Sequence, residues 1–336
     1  IKNKINFELT NDQINAINEI NHDLKSNQKM FRLLQGDVGS GKTIVSLIAS
    51  ANVISSGFQA CIMAPTEILA KQHYDLANKL FDKNIKIKLL TSKTETKQRK
   101  EILKNLSNNL VNIIIGTHSL FQEKIKYKKL GLIIIDEQHK FGVKQRKKLS
   151  DKGGKNCDVL VMSATPIPRT MIMTIFGDMD TSIIKNKPKN RKEIKTYSKL
   201  DTKTTEIINF LKKQINLGNQ AFWVCPLIEE SKKVDHKSSI KRYEELKKIF
   251  KDKVGLLHGA LNINEKNNIL SDFLNKKIDI LVSTTVIEVG IDFPNANIII
   301  IENANKFGLS QLHQLRGRVG RGEKESYCIL MFKNNL

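Results

Sequence analysis

The chain has 336 residues and carries 56 Lys and Arg against 34 Asp and Glu, a formal net charge of +22. This length is enough for two compact domains. No apolar run approaches the length of a membrane-spanning helix, and no signal peptide is visible, so we expect a cytoplasmic protein. The four cysteines form no C-x-x-C pair, which predicts reduced thiols and excludes a disulfide framework or a zinc site. The charge suits a polyanionic partner, although an AT-rich coding sequence would also enrich Lys, Asn and Ile together.

The first predicted element is a helix that begins within the sequence FELTNDQ, residues 7–13. Thr10 or Asn11 can cap it, and isoleucines recur along one of its faces. Gln13 lies in the first turn, where its amide can pair with both a donor and an acceptor of an adenine edge. Alone, Gln13 would be an ordinary surface residue. Because a phosphate-binding loop follows in the sequence, as described next, we favour recognition of adenine by Gln13.

The strongest signal is the sequence GDVGSGKT, which matches the phosphate-binding pattern G-x-x-x-x-G-K-[ST]. A predicted strand at residues 30–35 precedes it and an apolar helix at residues 44–54 follows, so N–H groups at a helix start can bind a polyphosphate. Lys42 would reach the β- and γ-phosphates, and the Thr43 hydroxyl would bind Mg²⁺. The residues predicted to bind the nucleotide in this loop are Gly36, Asp37, Val38, Gly39, Ser40, Gly41, Lys42 and Thr43.

Short apolar strands alternate with helical stretches along the rest of the chain. In the first half of the chain, further strands are predicted at residues 60–64, 85–90, 112–115, 130–135 and 159–162. The polar segment 185–192 predicts a linker. The pattern then restarts, with strands at 220–225, 254–257, 278–282, 297–301 and 327–332 and helices at 202–215 and 240–250. This alternation predicts an α/β protein with two tandem domains, each a parallel sheet covered by helices on both faces, at residues 1–187 and 188–336.

Two carboxylates follow the predicted strand at residues 130–135. In a parallel sheet this strand end lies at the same edge as the phosphate loop. Asp136 is therefore the expected Mg²⁺ carboxylate, acting through water, and Glu137 is the expected general base that polarises the attacking water. The alternative is an exposed acidic turn.

A second cluster of charged residues lies in the sequence QLHQLRGRVGR, residues 311–321. Arg318 and Arg321 are spaced so that both guanidinium groups can point at one target. The charge that develops on a γ-phosphate is such a target. The alternative is a basic surface that contacts DNA phosphates, a role that Arg316 also fits.

Together these motifs resemble those of superfamily 2 helicases, and most closely those of the RecG family of branched-DNA helicases. The resemblance rests on GDVGSGKT, DEQHKFGVKQR at 136–146, SATPIPRT at 163–170, TTVIEVGID at 284–292 and QLHQLRGRVGRG at 311–322. It covers essentially the whole chain and implies two RecA-like domains, a helicase ATP-binding domain at 1–187 and a helicase C-terminal domain at 188–336. Lys140 departs from the arginine common after the DEQH box. RecG proteins also carry an N-terminal wedge domain and a C-terminal coupling region, so the chain resembles their motor core.

The resemblance implies roles for residues of both domains. Residues that would complete the ATP site from the second domain are Gln314, Arg318, Arg321, Gly290 and Asp292. Residues that would couple ATP hydrolysis to domain closure and DNA are Gln138, His139, Ser163 and Thr165. Residues that would contact the DNA backbone are Thr66, Thr117, His118, Thr284 and Thr285.

The implied activity is ATP-driven movement on double-stranded DNA that remodels stalled forks and Holliday junctions in recombination and repair. ATP and Mg²⁺ are the expected cofactors, DNA of any sequence is the expected partner, and we expect a monomer. Two alternatives stay open. One is the transcription–repair coupling motor, whose family usually has an acidic residue where Gln138 stands and Phe where Ser40 stands. The other is an ATP-dependent DNA clamp without turnover.

Overall fold

Two parallel β-sheets, one in each half of the chain, organise the fold. The structure is a computed structural model that describes residues 4–5, 7–37, 39–121, 125–136, 157–163, 179–185, 192–226, 232–284, 293–320 and 324–333. The side chains of residues 118, 121, 232–238, 263 and 310 are outside this description. The chain divides into two compact units, Ile1–Pro188 and Lys189–Leu336. Among the described residues, no helix is both long and apolar enough to cross a membrane.

The first unit is built on a seven-stranded sheet of order β3-β4-β2-β5-β6-β1-β7. Its strands are β1 (Phe31–Gly36), β2 (Gln59–Met63), β3 (Ile87–Leu90), β4 (Ile113–Gly116), β5 (Leu130–Asp136), β6 (Asp158–Ser163) and β7 (Asp180–Ile184). Its helices in the described ranges are α1 (Asn11–Lys25), α2 (Lys42–Ser55), α3 (Glu67–Leu80) and α4 (Thr96–Ser107).

The second unit is built on a six-stranded sheet of order β10-β11-β9-β12-β13-β8. Its strands are β8 (Ile194–Leu200), β9 (Gln220–Val224), β10 (Val254–Leu257), β11 (Ile280–Ser283), β12 (Ala296–Ile301) and β13 (Ser326–Phe332). Its helices in the described ranges are α5 (Thr204–Asn216), α6 (Lys232–Phe250), α7 (Ile263–Leu274) and α8 (Leu309–Arg316).

Burial on both faces explains the continuous apolar strands of the first sheet. Along β5, Ile134 packs in a core with helices α1, α2 and α3, whereas its neighbour Ile133 packs in a second core that includes Leu106 of α4. Successive residues of a strand point to opposite faces, so a strand with a core on each side needs apolar residues at every position. The predicted class, parallel sheets with helices on both faces, is confirmed.

The two sheets share one strand order. Leaving out β7, the series β3-β4-β2-β5-β6-β1 in the first unit corresponds to β10-β11-β9-β12-β13-β8 in the second. The correspondence extends to irregularities, because the pairing of β2 with β5 and that of β9 with β12 each shift register at the first residue pair. In this register Asp136 corresponds to Glu302, and Thr117 corresponds to Thr284.

A buried glutamine begins β2, an interior strand of the first sheet. The Nε2 atom of Gln59 donates to the carbonyl oxygens of Leu106 and Val111, both at 2.9 Å. Between these two carbonyls the chain turns at Asn109, which has a φ of 62°. The amide therefore joins β2 to the loop that leads from α4 into β4.

The second sheet repeats this arrangement, and the two acceptor carbonyls are separated by the same number of residues in both sheets. The Nε2 atom of Gln220 donates to the carbonyl oxygens of Phe273 at 2.6 Å and Ile278 at 2.7 Å. The turn between them is at Lys276, with a φ of 58°. We call each of these arrangements, centred on Gln59 or Gln220, a glutamine clamp. The sequence showed no repeat, but the two units repeat this detail.

All four cysteines are free and buried, so the expectation of separate thiols is confirmed. Burial raises the pKa of Cys157 to about 12 and that of Cys328 to about 11. A thiol with such a pKa is almost entirely protonated at neutral pH and is therefore a poor nucleophile.

The strands β7 and β8 and the helices α4 and α7 were not predicted. Strands β7 and β8 expose much of their surface, with Ile183 and Tyr197 among the exposed large side chains. Strand β8 also begins directly after the segment that we interpreted as a linker. Helix α4 buries Ile102 and Leu106 alone among its residues, so its apolar pattern is short.

The clamp in the second unit should support stability. We expect Gln220→Leu to destabilise that unit by about 1–3 kcal/mol, because the buried carbonyl of Phe273 would lose its amide donor. Urea unfolding followed by the fluorescence of Trp223, which is fully buried in the same unit, measures the change. Gln314→Leu, at an exposed position on α8, is the control. Equal midpoints for both variants would contradict a role for the clamp.

Candidate nucleotide site and strand-end loops

The glycine loop links the end of β1 to the start of α2, as the sequence predicts. Gly39 and Gly41 have positive φ values of 79° and 89°, a region that favours glycine. Gly36 is needed for a different reason, since a Cβ there would lie 2.6 Å from Ser40 Oγ and 2.9 Å from the carbonyl oxygen of Ile184. The three glycines therefore let the chain turn tightly at the end of the strand. Val38 lies outside the described residues.

The loop contains polar groups that an anion could satisfy. Helix α2 begins after Gly41, which as a glycine offers no side-chain cap to the N–H groups of the first turn. The hydroxyl of Ser40 is buried and has no hydrogen-bond partner among the residues that the structure describes. Lys42 is also buried, and its Nζ lies 2.6 Å from the carbonyl oxygen of Gly36 and 3.1 Å from that of Asp37. Donors and a cation thus surround the loop, which is the chemistry of a phosphate site.

Gln13 lies against this loop. Its Oε1 accepts from the N–H of Thr10, which completes a capping box at the start of α1, and its Nε2 donates to the carbonyl oxygen of Ser40 at 2.7 Å. The side chain is buried, and its Nε2 would lie 2.3 Å from a Cβ at position 41. The amide therefore holds the cap of α1 and the glycine loop together. Recognition of adenine by Gln13 stays a prediction.

Asp136 is the last residue of β5 and is buried. Its Oδ2 lies 2.8 Å from Nε2 of His73 on α3. In the described ranges, no three His, Cys, Asp or Glu side chains come together as metal ligands. A site of one carboxylate, one hydroxyl and substrate phosphates is instead how Mg²⁺ is commonly held. The predicted base Glu137 and the coupling residues Gln138 and His139 lie outside the described residues.

No pattern in the sequence pointed to His73. It lies 63 positions before its partner in the chain. The helix that carries His73 is amphipathic, so the sequence pattern predicts only that this histidine is part of the core. The two residues meet because α3 follows β2 and packs on the sheet in which β2 and β5 are neighbours.

The strand-end residues predicted to contact DNA lie in loops that are bonded to one another. Thr66 caps α3 by accepting from the N–H of Leu69 at 3.3 Å. The next residue, Glu67, accepts from Ser92 Oγ at 2.5 Å and lies 3.8 Å from Lys93 Nζ. Thr66 is therefore tied to the β3–α4 loop, residues 91–95, which the sequence analysis did not single out.

Two further threonines occupy equivalent positions in the two units. Thr117 follows β4 and Thr284 follows β11, and both are buried. The backbone of Thr284 is fixed by a hydrogen bond from its N–H to the carbonyl of Leu257. The side chain of His118 and the whole of Thr285 are not described. Contact of these positions with DNA stays a prediction.

The predicted residues of the second unit differ in exposure. Gln314 lies exposed on α8, whereas Arg318, just past the helix, is 3% exposed. Gly320 has a φ of 76°, and a Cβ there would lie 2.9 Å from a side-chain atom of Ile194. Arg321, Gly290 and Asp292 are outside the described residues, as is Thr165. Ser163 is the buried last residue of β6.

The chain matches two helicase family models in the order expected. The DEAD/DEAH box helicase model matches residues 10–174, and the helicase conserved C-terminal domain model matches residues 202–323. The chain is 51% identical over 328 residues to the ATP-dependent DNA helicase RecG of Bacillus subtilis, covering 97% of this chain and 48% of the relative. It is 50% identical over 328 residues to RecG of Thermotoga maritima, covering 97% and 42%.

The chain belongs to the RecG family.

The structures agree with this assignment. A solved structure of RecG bound to a three-way DNA junction matches with a TM-score of 0.86 and 45% identity, over 99% of this chain and 44% of that chain. The DEAD-box helicase Mss116 bound to ssRNA matches with a TM-score of 0.69 at 22% identity, which shows the fold alone. The prediction of two RecA-like sheets is confirmed. The RecG-family chain spans about half the length of the curated relatives it matches.

The contact between Gln13 and the glycine loop of this RecG-family chain can be tested by two alanine substitutions. Gly41 and Gly57 have similar φ values, 89° and 82°, but a Cβ at Gly57 would meet nothing within 4 Å. Gly57→Ala should cost about 1–2 kcal/mol for the backbone conformation alone. Gly41→Ala should cost more, because its Cβ overlaps the Gln13 amide, and adding Gln13→Ala should recover part of the difference. Thermal unfolding midpoints measure all three, and equal losses at both glycines would contradict the contact.

Proposed function

We propose that this chain is the motor core of a RecG-type ATP-dependent DNA helicase, which hydrolyses ATP to move on double-stranded DNA and remodel stalled forks and Holliday junctions. The glycine loop is the observation that carries the proposal. It brings together the start of α2, a buried hydroxyl without a described partner and a buried lysine. The names of the relatives, ATP-dependent DNA helicase RecG, support the same activity.

The residues at the ends of β1 and β5 fit a magnesium-bound triphosphate. The N–H groups of residues 39–43 and the Lys42 ammonium would bind the phosphates, and Thr43 with Asp136 would hold Mg²⁺. The metal would neutralise charge that develops on the phosphate oxygens. Glu137, the residue after β5, would accept a proton from the attacking water. Gln13 would recognise adenine with the hydrogen-bonding capacity that its two described bonds leave unused.

Residues of the second domain would complete hydrolysis. Arg318 and Arg321 would stabilise the charge on the γ-phosphate, as guanidinium groups supplied to such sites do. Gln314 would assist them, and Gly290 and Asp292 would bind the nucleotide. The residues proposed to couple hydrolysis to DNA are Gln138, His139, Ser163 and Thr165. Since both domains contribute, hydrolysis would depend on domain closure.

DNA would be held through its backbone by the strand-end loops. The net charge of +22 favours a polyanion, and hydroxyl groups at strand ends bind phosphate without reading bases. The proposed contacts are Thr66, Thr117, His118, Thr284 and Thr285, joined by Lys93 of the β3–α4 loop. We propose that the chain acts as a monomer in the cytoplasm.

Removing the loop lysine tests the ATP site. Lys42→Ala should weaken ATP binding and reduce DNA-stimulated hydrolysis by on the order of 10²-fold or more, because the cation that stabilises the developing charge is lost. Lys71→Ala, at an exposed position on α3, is the control. Phosphate release and binding of a fluorescent ATP analogue measure the two effects. A normal turnover rate in Lys42→Ala would remove the loop from the mechanism.

The DNA proposal predicts sequence-independent binding with a steep salt dependence. If six to ten phosphates are contacted, affinity should fall by about 10³–10⁵ between 50 and 200 mM salt. Lys93→Ala should reduce the slope of log K against log salt by about 1, whereas Lys71→Ala should leave the slope unchanged. Fluorescence anisotropy with junction and duplex DNA of several sequences measures both. A flat salt titration, or tight preference for one base sequence, would contradict backbone binding.

A further inference from the structure

His73 and Asp136 form an isolated buried contact at the end of β5. Their side chains are 5% and 8% exposed, and Nε2 of the imidazole lies 2.8 Å from Oδ2 of the carboxylate. In the tautomer that carries its proton on Nε2, the imidazole donates to this carboxylate oxygen. The bond therefore occupies one carboxylate oxygen and fixes the rotation of the group. No described residue bonds to the other oxygen, Oδ1.

In the second unit, the equivalent carboxylate has both of its described side-chain donors on one oxygen, Oε1. Glu302, the counterpart of Asp136, accepts from Nε of Arg242 at 2.5 Å and from Nε1 of Trp223 at 2.6 Å. Arg242 is carried by α6, the helix that follows β9, just as His73 is carried by the helix that follows β2. A guanidinium is permanently charged, so Glu302 is neutralised within the unit.

The difference between the two units is the number and kind of donors. Two strong donors, one of them cationic, hold Glu302, whereas one described donor holds Asp136. A carboxylate that binds a metal must keep its negative charge available while its orientation stays fixed, and a permanently charged guanidinium partner would neutralise that charge. Partners that orient a metal-binding side chain in this way typically change metal affinity or activity by about 10–100-fold when removed.

We infer that His73 is a positioning residue for the magnesium carboxylate, which holds Asp136 through Oδ2 and leaves Oδ1 for the metal. This inference rests on the proposed function, because it requires that Asp136 serves a bound Mg-ATP. It assigns His73 no contact with ATP or with the attacking water.

Three substitutions at position 73 separate the hydrogen bond from the packing. His73→Gln keeps an N–H donor at nearly the reach of Nε2, His73→Asn keeps the same amide but is one methylene shorter, and His73→Leu fills similar volume with no donor. Leu69→Ala, on the same helix and equally buried, is a control for destabilisation alone. Thermal unfolding is measured for every variant.

Two readouts are compared in the purified chain. The first is the Mg²⁺ concentration that gives half-maximal DNA-stimulated ATP hydrolysis. The second is independent of turnover: the affinity for a fluorescent ATP analogue with Mg²⁺ and with EDTA. We expect His73→Asn and His73→Leu to need about 10–100-fold more Mg²⁺ and to lose most of the affinity that Mg²⁺ adds, with affinity in EDTA unchanged. His73→Gln should stay near the wild type, and Leu69→Ala should lower only the unfolding midpoint.

The inference is overturned if His73→Asn keeps the wild-type Mg²⁺ requirement, or if it lowers nucleotide affinity equally in Mg²⁺ and in EDTA. The comparison of Asn with Gln decides the matter even if the leucine variant does not fold. Failure of the proposed function looks different, since the wild-type chain itself would then show no Mg²⁺-dependent ATP binding or hydrolysis, and the role of His73 would fall with it.

Discussion

The parallel pairing of the described strands is the constraint on which the candidate sites depend. In a parallel sheet the carboxyl ends of neighbouring strands lie at one edge. The glycine loop after β1, the Thr66 cap after β2, Thr117 after β4 and Asp136 at the end of β5 therefore share an edge, although they are far apart in sequence. The pairing itself depends on apolar strands buried on both faces, so the packing of the core is also what assembles the site.

Much of this arrangement could be predicted from the sequence, because its main signals are local. The glycine loop with its flanking strand and helix, and an apolar run closed by Asp136, each lie within one short continuous segment of the chain. The parts that were missed depend on distant partners or on weak local patterns. His73 meets Asp136 only through the packing of α3 on the sheet, and no spacing rule records that contact. Strand β8 is largely exposed, so its sequence lacks the apolar run from which the other strands were predicted.

The second unit shows that this strand order alone does not make a nucleotide site. Its first strand, β8, leads into a short 3₁₀ turn, Asp201–Lys203, where β1 of the first unit leads into the glycine loop. Its counterpart of the metal carboxylate, Glu302, is bound by Arg242. The same scaffold thus carries a glycine loop in one unit and an ion pair in the other, so the two units differ in the residues at their strand ends.

The glutamine clamps also have a consequence for these strand ends. Each clamp lies at the amino edge of its sheet, one strand length, about 13 Å for the four residues of β4 or β11, from the loop at the opposite edge. A slip of β4 by one residue against β2 would turn its side chains to the wrong face and would take both carbonyl acceptors away from Gln59. The buried amide of Gln59 therefore favours one register of β4 against β2. That register determines the position of Thr117 at the opposite edge of the sheet, and Gln220 has the same effect on Thr284.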